Sequence, residues 1–293
     1  MKRYSLFPGC KIPYYLPQYE TSSRLVLKQF GVELEEQEFN CCGHPIRFLD
    51  FKAFILSSAR NIAIAGQRGL PLLCLCKCCY GALRYADVLI RKNQALRKEV
   101  DDYMLSEGLR YPEGLEIKHL LSVFVEVIMT ENILRKITRP LTGLKVATHY
   151  GCHILRPRDV VQFDNPFNPT KFESLIETTG AVTVHWSLRT QCCGESQWDK
   201  NNALSVDLTT KKMRNAKEYG ADVLCVGCTH CQIQFDRVGE LIENTNGDYQ
   251  RVPAILYPQL LGLGLGLDGS SLGIGTQVLA FLEAKISSTN TSR

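Results

Sequence analysis

Ten of the thirteen cysteines in this 293-residue chain fall into one pattern that occurs twice: a single Cys, then Cys-Cys-Gly, then Cys-x-x-Cys. The first copy is Cys10, Cys41-Cys42-Gly43 and Cys76-Lys77-Cys78-Cys79, with 30 and 33 residues between its groups. The second is Cys152, Cys192-Cys193-Gly194 and Cys228-Thr229-His230-Cys231, with 39 and 34 between. Thiolate sulfur is a soft, charged donor suited to iron or zinc, so five thiolates gathered from three loops can hold a metal centre. Structural zinc usually takes four ligands in two close pairs, whereas each copy here offers five, including an adjacent Cys-Cys. Adjacent cysteines strain the peptide between them if both bind one tetrahedral ion, but they can grip neighbouring irons of a cluster, which favours iron-sulfur. Any one of these thiols alone would read as packing; ten in a repeated order do not.

The elements that must deliver these cysteines recur as well. Four times a helical pattern ends at a glycine, a short apolar strand follows, and cysteines come directly after: Leu25 to Phe30, Gly31, Val32 to Phe39, Cys41; Ile62 to Arg68, Gly69, Leu70 to Leu75, Cys76; Phe172 to Thr179, Gly180, Ala181 to Trp186, Cys192; Leu204 to Tyr219, Gly220, Ala221 to Val226, Cys228. Glycine just past a helix end takes positive φ without a Cβ clash. Tyr4 to Phe7 and Lys145 to Tyr150 are the strands expected before Cys10 and Cys152. Alternating helix and strand predicts an α/β fold, with two tandem pseudo-equivalent domains, mostly parallel sheets, and the cysteine loops at the carboxyl ends of the strands.

Equivalent cysteines are offset by 142 residues for the first and 151 to 152 for the others, the mark of a duplicated domain. The expected division is 1–140, including a largely helical extension over 93–137, then 141–265, then a tail over 266–293 with disorder from Ser287. The uncharged stretch from Val252 to Leu267 is 16 residues long and carries Pro253 and Pro258, too short and broken for a membrane span. It reads as a buried or partner-facing helix, with any membrane attachment made through another subunit.

A balance of 34 basic against 30 acidic residues, with no dense basic block, gives no support for a nucleic-acid partner. The N-terminal apolar run stops too soon for a signal peptide, so the expected location is cytoplasmic, where reduced thiols bind metals rather than form a disulfide framework. No Gly-x-Gly-x-x-Gly set stands where a nucleotide-binding fingerprint needs it, between a strand and the helix it opens (the spacing Gly264, Gly266, Gly269 lies in the glycine-studded stretch past Val252), so electrons are expected from a partner rather than from a nucleotide held by this chain.

With these motifs in view, the chain resembles the B subunit of heterodisulfide reductase, in the family named for its cysteine-rich CCG domains. The likeness rests on the tandem cysteine sets, His149-Tyr150-Gly151-Cys152-His153, the run from Cys228 to Asp236, and Tyr257-Pro258-Gln259-Leu260-Leu261-Gly262. It implies two noncubane [4Fe-4S] clusters, one held by Cys10, Cys41, Cys42, Cys76 and Cys79 and the other by Cys152, Cys192, Cys193, Cys228 and Cys231. By spacing alone Cys225 could replace a member of the last pair; similarity chooses Cys228 and Cys231, because Gln-x-Gln-Phe-Asp follows. Cys74, Cys78 and Cys225 are read as buried structural thiols.

The resemblance further implies reduction of a small-molecule disulfide lodged between the clusters, the coenzyme M–coenzyme B heterodisulfide in methanogenesis or an analogue. Two single-electron centres facing one S–S bond would match its need for two electrons. Electrons would come from an iron-sulfur C subunit and, through it, a flavin-containing A subunit. His153 is the candidate proton donor, since imidazole titrates near neutrality, with hydrogen bonding to backbone or sulfide as its other reading. His230 is expected to tune a cluster by hydrogen bonding, and His44 is a weaker candidate donor. Lys11, Arg156 and Arg158 are candidate contacts for an anionic substrate. The alternatives are an electron-relay subunit of a lactate, glycolate or glycerol-3-phosphate oxidising complex, and a zinc-stabilised assembly protein.

Overall fold

The computed structural model describes residues 2–245 and 251–290. The first half contains strands β1 (Lys2–Phe7), β2 (Val32–Glu35), β3 (Leu72–Cys74) and β4 (Ile117–His119), with helices α1 (Pro17–Gln29), α2 (Phe51–Gln67), α3 (Lys77–Lys92) and α4 (Gln94–Ser106). The second contains β5 (Lys145–His149), β6 (Val182–Val184), β7 (Val223–Val226) and β8 (Ala254–Leu256), with α5 (Lys171–Glu177), α6 (Asn202–Glu218) and α7 (Thr229–Thr245). Helices α8 (Tyr257–Gly264) and α9 (Thr276–Asn290) follow.

Two four-stranded sheets result, ordered β2-β1-β3-β4 and β6-β5-β7-β8, with every pairing parallel. The central strands β3 and β7 are buried throughout, as expected of apolar runs covered on both faces by crossover helices. In this order the chain leaves β1 for one side of the sheet and returns to the other, so a crevice opens between the carboxyl ends of β1 and β3, and likewise between β5 and β7. Cys10 and Cys76 follow the first pair of strands; Cys152 and Cys228 follow the second.

The duplication extends to local chemistry. Asp50 caps α2 by accepting the Ala53 amide at 2.9 Å, and Asn201 caps α6 by accepting the Leu204 amide at 3.0 Å; such caps are worth about 1 kcal/mol. The glycines expected at helix ends, Gly31, Gly69, Gly180 and Gly220, all take positive φ, between 62° and 83°.

Three segments differ from the sequence expectation. The extension expected to be largely helical over 93–137 includes β4, which pairs with β3 from Leu72↔Ile117 to Cys74↔His119. The stretch from Val252 begins with β8 and only then becomes α8, whose residues are all buried within this chain. The sequence predicts disorder from Ser287, but α9 continues to Asn290, and Thr291 to Arg293 lie outside the described residues. Strands β4 and β8 are set by pairing with a neighbour and, unlike the equally short β3 and β6, are followed by no cysteine group that marks them in the sequence.

An aromatic core joins the halves. Tyr257 lies 5.2 Å from Phe124 and 5.8 Å from Phe172, ring centroid to centroid, and Phe172 also meets Tyr150 at 5.7 Å. All four side chains are fully buried, each contributing roughly 2–3 kcal/mol by removal from water.

Candidate metal centres

The structure brings the ten patterned cysteines into two groups that face each other. In the first, Cys10 Sγ lies 3.8 Å from Cys41 Sγ, and thiol contacts continue from Cys41 to Cys42, from Cys42 to Cys79 and from Cys79 to Cys76. In the second the same order recurs: Cys152, Cys192, Cys193, Cys231, Cys228. The chains of sulfur meet where Cys76 Sγ and Cys228 Sγ stand 4.0 Å apart. Hydrogen bonds from Cys10 and Cys42 push the Cys41 thiol far below the usual thiol range, and Cys152 and Cys193 do the same to Cys192. Sulfurs packed this closely form a donor set suited to a soft cationic group, and five sulfurs per group fit an iron-sulfur cluster.

Glycine makes room for each set. Gly9 and Gly151 take φ of 72° and 67°. A Cβ on Gly9 would fall 3.0 Å from Cys79 Sγ and 3.8 Å from Phe7 Cε1; one on Gly151 would fall 3.6 Å from Cys231 Sγ and 3.4 Å from His149 Nε2. Phe7 and His149 therefore occupy equivalent places beside equivalent cysteines.

Of the three cysteines outside the pattern, Cys74 and Cys225 lie inside β3 and β7, fully buried and away from the sulfur chain. Cys78 differs. Its thiol contacts those of Cys76 and Cys228 and lies 3.2 Å from His153 Nδ1, so it is buried at the junction of the two halves, in contact with both sulfur sets.

His153 Nδ1 is 3.7 Å from Cys152 Sγ, and its ring meets that of His44 edge-on at 4.8 Å. Burial holds His44 down to about 4, with the neighbouring His153 adding to the effect, and burial also lowers His153. Lys11 reaches from the first half to the second, its Nζ 2.7 Å from Glu195 Oε1, which also lies 2.7 Å from His230 Nδ1. Burial opposes charge on both partners, but pairing with Glu195 prevails and lifts His230 to about 9, while Glu195 falls to about 2. Arg156 is exposed and directs its guanidinium to the Thr190 carbonyl at 3.4 Å; Arg158 is exposed at the start of the short helix Arg158–Val161.

Several residues near the sulfurs were not singled out by spacing. Lys77 is buried and donates to the carbonyls of His149 at 3.1 Å and Tyr150 at 3.0 Å, with its ammonium 5.2 Å from the Phe172 ring. His119 Nδ1 accepts the Leu121 amide, so Nε2 carries the proton and reaches the carbonyls of Leu75 and Gly227, both at 3.1 Å. Those carbonyls immediately precede Cys76 and Cys228, so one side chain ties the two loops together. His149 Nε2 lies 3.3 Å from Cys231 Sγ, and Lys212 is buried, bonded to the Leu188 carbonyl. His149 was visible inside the His149-to-His153 motif; Lys77, His119 and Lys212 carried no comparable signal.

Comparison with known proteins agrees with this architecture. The cysteine-rich CCG domain matches twice, at residues 4–84 and 146–236. The chain belongs to the CCG cysteine-rich domain family. It is 30% identical over 289 residues to the B subunit of the ferredoxin/F420H2-dependent CoB-CoM heterodisulfide reductase of Methanosarcina acetivorans, covering 97% of this chain and 96% of that one. It is also 29% identical over 280 residues to the 8-methylmenaquinol:fumarate reductase membrane anchor subunit of Wolinella succinogenes, covering 95% and 97%. A crystal structure of a hypothetical protein from Helicobacter pylori superposes with a TM-score of 0.72 at 17% identity, over 94% of this chain and 51% of that one, a likeness of fold alone. Among the described residues no helix is long and apolar enough to cross a membrane.

Proposed function

We propose that this chain is the disulfide-reducing subunit of a heterodisulfide reductase complex, with a noncubane [4Fe-4S] cluster in each cysteine group. The observation that carries the reading is the facing pair, Cys76 Sγ and Cys228 Sγ, 4.0 Å apart at the junction of two equivalent sulfur sets. Near-full-length similarity to the B subunit of a heterodisulfide reductase supports it. Cys10, Cys41, Cys42, Cys76 and Cys79 would hold one cluster, and Cys152, Cys192, Cys193, Cys228 and Cys231 the other. Such clusters, held by these cysteines, would supply electrons one at a time, and a pair of them at one junction would match the two-electron need of an S–S bond.

The chain's own groups would serve the substrate around that junction. His153 and Cys78 present hydrogen-bonding atoms where product thiols must gain protons. Lys11, Arg156 and Arg158 are the cations proposed for an anionic disulfide, though the Lys11 charge is already matched by Glu195. Electrons would arrive from an iron-sulfur C subunit fed by a flavin-containing A subunit, in the cytoplasm. The rim of the first cysteine group suits such a partner: Ile46, Phe48, Leu49 and Phe51 are exposed there, where the second repeat has Gln197, Asp199, Lys200 and Asn202.

Similarity to a fumarate reductase anchor subunit favours one second reading, a CCG-type subunit that relays electrons without binding a disulfide. Iron, acid-labile sulfide and zinc per chain, measured on protein purified without oxygen, test the shared premise. The proposal expects about eight irons with comparable sulfide. One or two zincs with negligible iron would leave a structural metal protein. Disulfide reduction with a chemical electron donor then separates reductase from relay.

A further inference from the structure

The two cysteine groups share sulfur order and loop geometry, but the side chains around them are not equivalent. His149 Nε2 lies 3.3 Å from Cys231 Sγ, and the imidazole is fully buried. A metal-bound thiolate has no proton to give, so a hydrogen bond here runs from Nε2–H to sulfur. At the equivalent place beside Cys79 the first repeat has Phe7, which donates nothing.

Charge differs in the same sense. Lys212, 2% exposed on α6, sits 4.8 Å from the Trp186 ring, and its field acts on Cys193, Cys231, Cys192 and Cys152. The equivalent residue of α2, at the 151-residue offset, is Asn61, a neutral amide bonded to the Cys41 and Ser57 carbonyls. Lys77 belongs to the first repeat, yet its ammonium is held by the carbonyls of His149 and Tyr150, and its field also acts on thiols of the second. The nearby cations on the first side are Lys11, paired with Glu195, and Arg47, half-buried against Phe48 and Tyr85, while His230, which shares Glu195 with Lys11, stands beside Cys76 and Cys228 alike and so does not distinguish the two sets. Cys10, moreover, is exposed, whereas its counterpart Cys152 is half-buried.

Hydrogen bonds to cluster sulfurs, lower net negative charge and shielding from solvent all influence the ease with which an iron-sulfur centre accepts an electron. The first two favour reduction of the second centre, and burial of its cations strengthens their field. We propose that the repeats are electrically unequal, so that a single electron from a one-electron donor, which is oxidised in the exchange, resides on the second centre, with His149 and Lys212 setting the bias. This rests on the cluster reading above and deepens it by giving the two centres different roles: the first, nearer solvent, passes the electron and the second holds it.

The test is an anaerobic dithionite titration of the full chain followed by electron paramagnetic resonance, with iron and sulfide determined on each sample. The expected result is two one-electron transitions separated by at least tenfold in equilibrium constant, which is about 59 mV. His149→Phe and Lys212→Met should each weaken the higher-potential transition about tenfold and leave the lower one within about threefold. Asn61→Lys, which places a cation beside the first centre, should strengthen the lower-potential transition. Coincident transitions in the wild type, a lower transition moved by His149→Phe or Lys212→Met, or neither transition moved by those two variants would overturn the proposal while about eight irons per chain left the cluster reading standing. Negligible iron would overturn both.

Discussion

Lys77 of the first repeat donates its buried ammonium to the Tyr150 carbonyl of the second at 3.0 Å, two residues before Cys152. With His119 bridging the carbonyls of Leu75 and Gly227, this contact sets how closely the two cysteine groups approach. Lys77→Met keeps the length of the side chain but leaves the His149 and Tyr150 carbonyls without their charged donor. We expect a loss of about 1.5–3 kcal/mol, the usual worth of a hydrogen bond to a charged group. Denaturant midpoints of wild type and variant check it; an unchanged midpoint would mean that the lysine does not join the halves.

The glycine cradle makes a separate prediction. Gly9→Ala sets a methyl 3.0 Å from Cys79 Sγ at a φ of 72°, so the first set alone should be displaced. Iron per chain should fall by roughly half, with the second centre retained. Loss of all iron, or of none, would contradict two independently assembled sites.

Cys225 and Cys228 can be told apart by substitution. Cys225→Ala removes a thiol inside β7 and should leave iron content unchanged, at a stability cost of about 1–2 kcal/mol for the small cavity. Cys228→Ala should abolish the second centre. Metal analysis of both variants decides between the two ways of reading the cysteine spacing.

Asp236, on α7, should make stability depend on pH. Burial raises its carboxyl from 3.8 to about 6, against the pull of its Gln232 hydrogen bonds and Arg251. A folded-state value above the unfolded one favours the protonated fold. That contribution is complete below about 4 and is lost as pH rises through about 6. Asp236→Asn should therefore stabilise the protein by about 2–3 kcal/mol at pH near 7.5, and by much less near 4.5. Denaturation at the two pH values measures the difference, and an equal gain at both would show that ionisation is not its cause.

How much of this was legible in sequence varies with how local each feature is. The cysteine sets could be read because identity and order repeat, and the strands before Cys41, Cys76, Cys192 and Cys228 because glycine-ended helices announce them. Strands β4 and β8 were not legible, since no cysteine group follows them to mark a strand end and each is held in its sheet by a neighbour that lies far away in the chain. Cys78 read as packing because its neighbours His153 and Cys228 come from the other half.

By itself, the order of residues determined the donor chemistry, the duplication and the parallel α/β plan. These follow from side-chain type, helix period and loop length, all properties of short segments. Tertiary structure alone decided that Cys76 meets Cys228, that Lys77 crosses to the other half, and that His149 and Lys212 flank one sulfur set while Phe7 and Asn61 flank the other. Contacts of that kind depend on how the two halves pack, and burial then turns modest differences in residue type into strong differences in field.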